Sequence, residues 1–164
     1  MEIQLAELED LQSIVEIVNE VTLHLHKKGI NQWEYPCDLL EIREDIHNRV
    51  LYKVEYDNKL IGTFTVRNIN NIGVYKLEES SKYLARIAIS PEFQGKGIGA
   101  LIIEFAISIA RESGVSLYLD CWAGNLKLRE IYAKHGFQHL GDYPENDYFI
   151  SIFKYKDRGW LNGV

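Results

Sequence analysis

The stretch Gln94-Gly95-Lys96-Gly97-Ile98-Gly99 constrains this chain more than any other. Three glycines in five positions leave the backbone bare, and an apolar helical pattern begins at once. Ile98, Leu101, Ile102, Phe105 and Ile109 follow helical spacing, with Gly114 as the stop. Amide N–H groups in such a loop can converge on an anion, and the positive end of the helix adds to them. Lys96 brings a formal charge. The pattern therefore predicts a phosphate or pyrophosphate cradle between a strand and a helix. The plainer reading is a turn that needs glycine only for its dihedrals. Residues 83–90 before the loop and 115–122 after the helix both read as strands. A helix joining two strands is a crossover, and crossovers join parallel strands.

The kind of phosphate is narrowed by what the loop lacks. Gly95-Lys96 is followed by Gly97, with no Ser or Thr to reach a magnesium ion, so a P-loop is excluded. Gly95, Gly97 and Ala100 do fit a dinucleotide fingerprint, and Asp120 ends the next strand where a ribose-binding acid would lie. That fold wants its first glycine directly off the strand, yet Pro91 to Gln94 intervene. The strands remaining after Asp120 are also too few, and too antiparallel, for a doubly wound sheet.

The remaining pattern is compatible with a single domain over residues 1–164. A short strand over 1–5 leads to a helix with Leu11, Ile14, Val15, Val18, Val21 and Leu25 on helical spacing, Asp10 as its cap and Gly29 as its end. An aromatic loop with Trp33 and Tyr35 follows, then a helix over 39–47. Strands over 51–56 and 60–66 flank an Asp57-Asn58-Lys59 turn, which predicts a hairpin. Residues 68–81 are polar and read as a loop or an irregular strand edge. A helix over 125–135 ends at Gly136, and strands over 137–143 and 148–155 finish the order β-α-α-β-β-β-α-β-α-β-β. That order predicts an α/β fold with a central mixed sheet and helices on both faces.

Charge and cysteine content remove several function classes. Eighteen Lys and Arg against 24 Asp and Glu leave a net charge of −6. No basic face is implied, so the chain is a poor nucleic-acid binder. The longest apolar run, 98–110, is interrupted by Glu104 and is too short for a membrane span. The acidic N-terminus does not read as a signal peptide. Cys37 and Cys121 are too few for a disulfide framework or a zinc site, so both read as free thiols in a reducing, cytoplasmic setting.

Two segments together carry a resemblance. Residues 86–99, Arg-Ile-Ala-Ile-Ser-Pro-Glu-Phe-Gln-Gly-Lys-Gly-Ile-Gly, resemble the acetyl-CoA signature Q/R-x-x-G-x-G/A of the GNAT superfamily of N-acetyltransferases, with Gln94, Gly97 and Gly99 filling it. Residues 125–137 resemble the family's second motif, N-x-x-A-x-x-x-Y-x-x-x-G-F, through Asn125, Tyr132, Gly136 and Phe137; Leu128 replaces the common alanine. The resemblance implies a GNAT-like fold with acetyl-CoA bound where the strands 83–90 and 115–122 splay apart. Its pantetheine would pair with the backbone of Ile87, Ala88 and Ile89, and its pyrophosphate would rest on the amides of Gly95, Lys96, Gly97, Ile98 and Gly99, beside Gln94. Asn125 would contact the cofactor, and Tyr132 would protonate the departing thiolate. An amine attacks the thioester directly, a strand amide steadies the developing oxyanion, and no metal or acyl-enzyme is required.

Taken by itself, Tyr132 also reads as a core aromatic on an amphipathic helix. The base that deprotonates the amine is left open among Asp120, Glu34, Glu145, Asp147 and an ordered water. Trp33 and Glu34 lie in the aromatic loop that often covers the acceptor in this family, and aromatic walls with carboxylates suit an amine; a loop packed by its own aromatics fits the same residues. Cys121, in an apolar strand, reads as a buried structural thiol, and the histidines as surface groups. The expected activity is transfer of acetyl to a primary amine of a small molecule or peptide. A non-catalytic acyl-CoA sensor is the alternative, and a homodimer is compatible with either.

Overall fold

The computed structural model describes residues 1–31 and 33–155. Its elements are β1 (Glu2–Leu5), α1 (Leu11–Lys27), α2 (Leu39–His47), β2 (Leu51–Tyr56), β3 (Lys59–Ile72), β4 (Tyr75–Ile89), α3 (Ile98–Ser113), β5 (Leu117–Trp122), α4 (Leu126–Lys134), β6 (Phe137–Glu145) and β7 (Tyr148–Tyr155). Short 3₁₀ turns occupy Leu8–Asp10 and Pro91–Phe93. Neighbouring strands run β1-β2-β3-β4-β5-β7-β6. β4 and β5 are parallel, while β1–β2, β2–β3, β5–β7 and β6–β7 are antiparallel. This is the mixed α/β sheet flanked by helices that the pattern predicts, with α3 as the crossover between parallel strands. The chain divides into two compact units, Met1–Val66 with Arg86–Ile102 and Arg67–Ala85 with Ile103–Val164.

In the first unit, α1 buries Ile14, Ile17 and Val21 along one stripe. Ile14 packs with Ala6, Ile42, Ile46 and Leu51, tying α1 to α2 and β2. Ile17 and Val21 pack with Ala88, Leu60 and Trp33. Asp38 caps α2 by accepting from the N–H groups of Leu40 at 3.0 Å and Glu41 at 3.4 Å. Asp10 precedes α1 but its side chain does not cap it. It accepts from the Glu7 N–H at 2.8 Å and pairs with Lys53 at 3.0 Å, because a 3₁₀ turn comes first. The β2–β3 hairpin turns on Asp57 and Asn58 at φ 53° and 61°, the left-handed pair of a tight two-residue turn. Gly62 is fixed by close approach: a Cβ there would lie 3.1 Å from the Ala88 carbonyl oxygen.

In the second unit, β7 has four consecutive buried residues, Ile150, Ser151, Ile152 and Phe153. Side chains alternate across a strand, so β7 is covered on both faces. Ile150 and Ile152 join Ile72 and Tyr118 in one cluster. Phe153, on the other face, meets Tyr132 of α4 edge-on, with ring centroids 5.3 Å apart.

Of the two sequence readings of residues 68–81, loop or irregular strand edge, the structure takes the strand. They are not a loop: β3 continues to Ile72, and β4 begins at Tyr75. Polar residues there alternate with Ile69, Ile72, Tyr75 and Leu77, which turn into the cluster around Tyr118. The buried face of α3 is also rotated. Ile98 and Ile102 are buried as expected, but Leu101 is 43% exposed, and Ile103, Ala106 and Ala110 take its place. Small alanines let the helix lie close, a packing preference that counting large apolar residues overlooks. Among the described residues, no helix is long and apolar enough to cross a membrane.

Ile152→Ala should lower stability by about 2–5 kcal/mol, because Ile152 is fully buried. Urea unfolding followed by circular dichroism checks this through a lower midpoint at unchanged slope.

Candidate active site

The glycine loop belongs to the first unit. Near the end of β4, Arg86 sits at φ 53° and interrupts the strand. Beyond it, the Ser90 N–H donates to the Ile61 carbonyl at 2.9 Å, and the Ala88 carbonyl approaches Gly62. Ala88 and Ser90 therefore face β3. By alternation, Ile87 and Ile89 turn their backbone groups to the opposite edge. The Gln94 side-chain amide donates to the Ile89 carbonyl at 3.0 Å, so this glutamine fastens the loop to the strand it follows.

The loop then opens a run of donors. Gly95 and Gly97 adopt φ 78° and 83°, a conformation that side chains with a Cβ resist. Nothing lies within 4 Å of a Cβ built on either, so the dihedral is what demands glycine there. The first backbone bond of α3 runs from the Leu101 N–H to the Gly97 carbonyl at 3.3 Å. Among the described residues, the amides of 95–100 have no hydrogen-bond acceptor. Residues 95–97 are exposed, whereas the Ile98 side chain is buried and anchors the helix start. Lys96 lies with its Nζ 5.3 Å from the centre of the Phe93 ring. This is a set of donors at a helix N-terminus with no internal use, and it fits an anionic group such as a pyrophosphate.

The second unit carries the other motif. Asn125 caps α4: its Oδ1 accepts from the Leu128 N–H at 3.1 Å. The cap uses the oxygen; among the described residues the amide nitrogen has no hydrogen-bond partner. Tyr132 is the buried residue of α4, 5% exposed, against Phe137 and Phe153. Burial, then the charges of Cys121 and Asp120, hold its hydroxyl well above the ordinary tyrosine value. Cys121 is buried, and its thiol is pushed up to about 12, mainly by desolvation and then by Asp120. A thiol held so firmly in the neutral form is a poor nucleophile.

Asp120 has a partner that sequence reasoning missed. It shares a strand face with Tyr118, as the alternation predicts, but its hydrogen bond comes from the Tyr83 hydroxyl at 2.7 Å. Arg86 pairs with Glu41. Burial raises the Asp120 carboxyl to about 6; the bond from Tyr83 pulls it down, and Glu145 pushes it up. Glu145 itself accepts from the Tyr148 hydroxyl at 3.2 Å. The second unit thus places a tunable carboxylate, Asp120, where its charge is felt by Tyr132. Asp147 is exposed on the turn before β7.

Trp33 and Glu34 do line a pocket, and it lies wholly within the first unit. The pocket has a volume of about 260 Å³ and also takes in Asp38, Glu41, Asp45, Thr63 and Arg86. The loop that carries Trp33 is tied down at both ends. His26 bonds through Nε2 to the Trp33 carbonyl at 2.8 Å, and the Cys37 N–H donates to Asn19 Oδ1 at 2.8 Å. Three histidines expected only as surface groups have partners, among them His135, whose Nδ1 bonds with the Ile131 carbonyl at 2.8 Å. His26 holds this loop, and His139 pairs with Asp142 at 2.9 Å. Among the described residues, no three His, Cys, Asp or Glu side chains gather as metal ligands would.

Residues 11–137 match the Acetyltransferase (GNAT) family. The chain belongs to the GNAT acetyltransferase family. Acetyl transfer in general is therefore its activity, and the glycine loop and the helix of Tyr132 both lie inside the matched region. It is 26% identical over 142 residues to YesJ, an uncharacterized N-acetyltransferase of Bacillus subtilis strain 168, covering 81% of this chain and 79% of that one. A GNAT-family acetyltransferase from Streptococcus agalactiae shares the fold at a TM-score of 0.74 with 21% identity, covering 94% of each chain. The PaiA N-acetyltransferase of Thermoplasma acidophilum, solved with coenzyme A, shares it at 0.66 with 23% identity, covering 94% of this GNAT chain and 98% of that one.

The raised carboxyl of Asp120 makes stability depend on pH. Folding lifts it from 3.8 to about 6, so the folded state holds the extra proton. Its contribution is fully present below about pH 4 and is lost as pH rises through about 6, a change on the order of 3 kcal/mol. Asp120→Asn should flatten this decline. Urea midpoints measured between pH 4 and pH 7.5 for both proteins check it.

Proposed function

We propose that this GNAT protein transfers the acetyl group of acetyl-CoA to a primary amine of a small molecule or peptide in one direct step. The observation that carries the reading is the run of unengaged amides at residues 95–100 on the N-terminus of α3. Donors that serve no internal bond, preset in direction, bind an anion without a reorganisation cost. In this reading they hold the cofactor's pyrophosphate, with Gln94 fixing the loop and Lys96 adding charge. Ile87 and Ile89 offer strand-edge groups to the pantetheine, as an added strand would use them. Ala88, whose carbonyl faces β3, serves by keeping its neighbours in register. Asn125 offers its free amide nitrogen.

Acetyl-CoA supplies the acetyl group as a thioester. Asp120 takes the proton that the attacking ammonium must lose. With its carboxyl at about 6, it is ionised at neutral pH and still basic enough to serve. The Tyr83 hydroxyl keeps it oriented. Tyr132 gives its phenolic proton to the sulfur as the C–S bond breaks and the C–N bond forms. Its raised value keeps that proton in place throughout the working pH range. The alternative, an acyl-CoA sensor without turnover, shares the amide cradle and leaves Asp120 and Tyr132 without a task.

Two measurements test the reading. Acetyl-CoA and CoA at 100 times their dissociation constant should raise the melting temperature by roughly 5–11 °C, whereas NAD and ATP should not. Tyr132→Phe should lower kcat by ~10²- to 10⁴-fold with CoA affinity unchanged. The wild type should show an acid limb in kcat/KM near pH 6 that Asp120→Asn removes along with most of the rate. Unchanged turnover in Tyr132→Phe would overturn its role as acid, and no turnover of any amine by a protein that binds acetyl-CoA would favour the sensor.

A further inference from the structure

The pocket in the first unit points to an acceptor chemistry. Among the described residues that line it, Glu34, Asp38 and Glu41 stand with one cation, Arg86, which is already paired with Glu41; Asp45 also lines it but has a partner of its own and is left out of the balance. The wall is therefore net negative. Asp38 caps α2 by accepting from backbone N–H groups, so the cap brings no positive side chain to the wall. Thr63 is an independent sign of a ligand. It is 2% exposed, lines the same pocket and makes no side-chain hydrogen bond among the described residues. No sealed polar atom there lacks a partner, so its hydroxyl looks into the open volume. Buried hydroxyls without partners are costly unless a ligand or water meets them.

The rest of the wall narrows the ligand. Val18, Ile42 and Phe64 supply apolar surface beside the carboxylates, and Trp33 supplies an aromatic side chain. Apolar wall together with negative charge matches a chain of methylenes carrying ammonium groups, and an aromatic ring adds cation–π attraction. A volume of about 260 Å³ lies at the small end for ligand sites. It suits a slender aliphatic chain better than a bulky polycyclic amine. We infer that this pocket binds the non-reacting ammonium end of an aliphatic di- or polyamine, making such amines the acceptor class. The assignment rests on the acetyl-transfer reading for its role as an acceptor site, and on the pocket alone for the binding.

The test separates the two. Calorimetry on the protein without acetyl-CoA, using spermidine, butylamine and glutamate, reads the pocket directly. Spermidine should bind at least tenfold more tightly than butylamine, glutamate should not bind, and affinity should fall as salt rises. Glu34→Gln, on an exposed loop position, should weaken spermidine at least fivefold while leaving acetyl-CoA stabilisation unchanged. In turnover the same substitution should raise KM for spermidine with kcat held. Equal affinity for spermidine and butylamine, or tighter binding of glutamate, would overturn the assignment. Spermidine binding with no acetylation of any amine would overturn the acetyl-transfer reading and leave the negatively charged, amine-binding pocket standing.

Discussion

A helix must begin with N–H groups that its own carbonyls cannot reach. In this protein the run is lengthened by the loop before it. Gly95 and Gly97 hold left-handed dihedrals, so the chain between Gln94 and Leu101 exposes its donors and folds none of them back. Much of the first unit supports that arrangement. Gln94 reaches back to the Ile89 carbonyl, Ile98 sinks into the interior, and Ser90 is bonded to β3. The donors stay in water when unliganded, which makes them inexpensive, and they need no rearrangement when an anion arrives.

The chemistry proposed for the second unit depends on a different constraint, the cost of burying ionisable groups. Tyr132 is packed against two phenylalanines and keeps its proton. Asp120 is lifted to about 6 because desolvation outweighs the hydrogen bond from Tyr83. Burial thus raises both groups: Tyr132 holds its proton more firmly, and Asp120, still below neutrality, becomes a stronger base. Cys121 lies next to Asp120 in sequence and is pushed to about 12 by the same burial, which is why the cysteine adds nothing to the reaction.

What could be read from the residues follows from how local each signal is. The bounds of α2, β2 and β7 came directly from hydrophobic period and turn chemistry, and the Asp57-Asn58 turn behaves as its composition requires. The glycine loop was legible because three glycines before an apolar helix have few uses. The extension of β3 and β4 through residues 68–81 was not legible. Its inward residues are spaced among polar ones, and their burial is supplied by Tyr118, Ile150 and Ile152 far along the chain. The bond between Tyr83 and Asp120 was missed for the same reason, since nothing local links positions 37 apart. The cap role of Asn125 was hidden behind its motif: a residue that starts a helix and one that meets a ligand carry the same letter. Trp33 and Glu34 stand out through their aromatic loop and what the family resemblance implies for it, and what surrounds them required the folded α1 and α2.

In the proposed reading, backbone amides at residues 95–100 bind the diphosphate of coenzyme A. Amide NMR spectra of ¹⁵N-labelled protein, titrated with CoA and separately with pantetheine, test this most directly. Pantetheine lacks the phosphates and retains the thiol arm. Large shifts of the Gly95, Gly97 and Gly99 amides are expected with CoA, and little change there with pantetheine. Equal shifts with both ligands, or shifts with CoA confined to other residues, would contradict it.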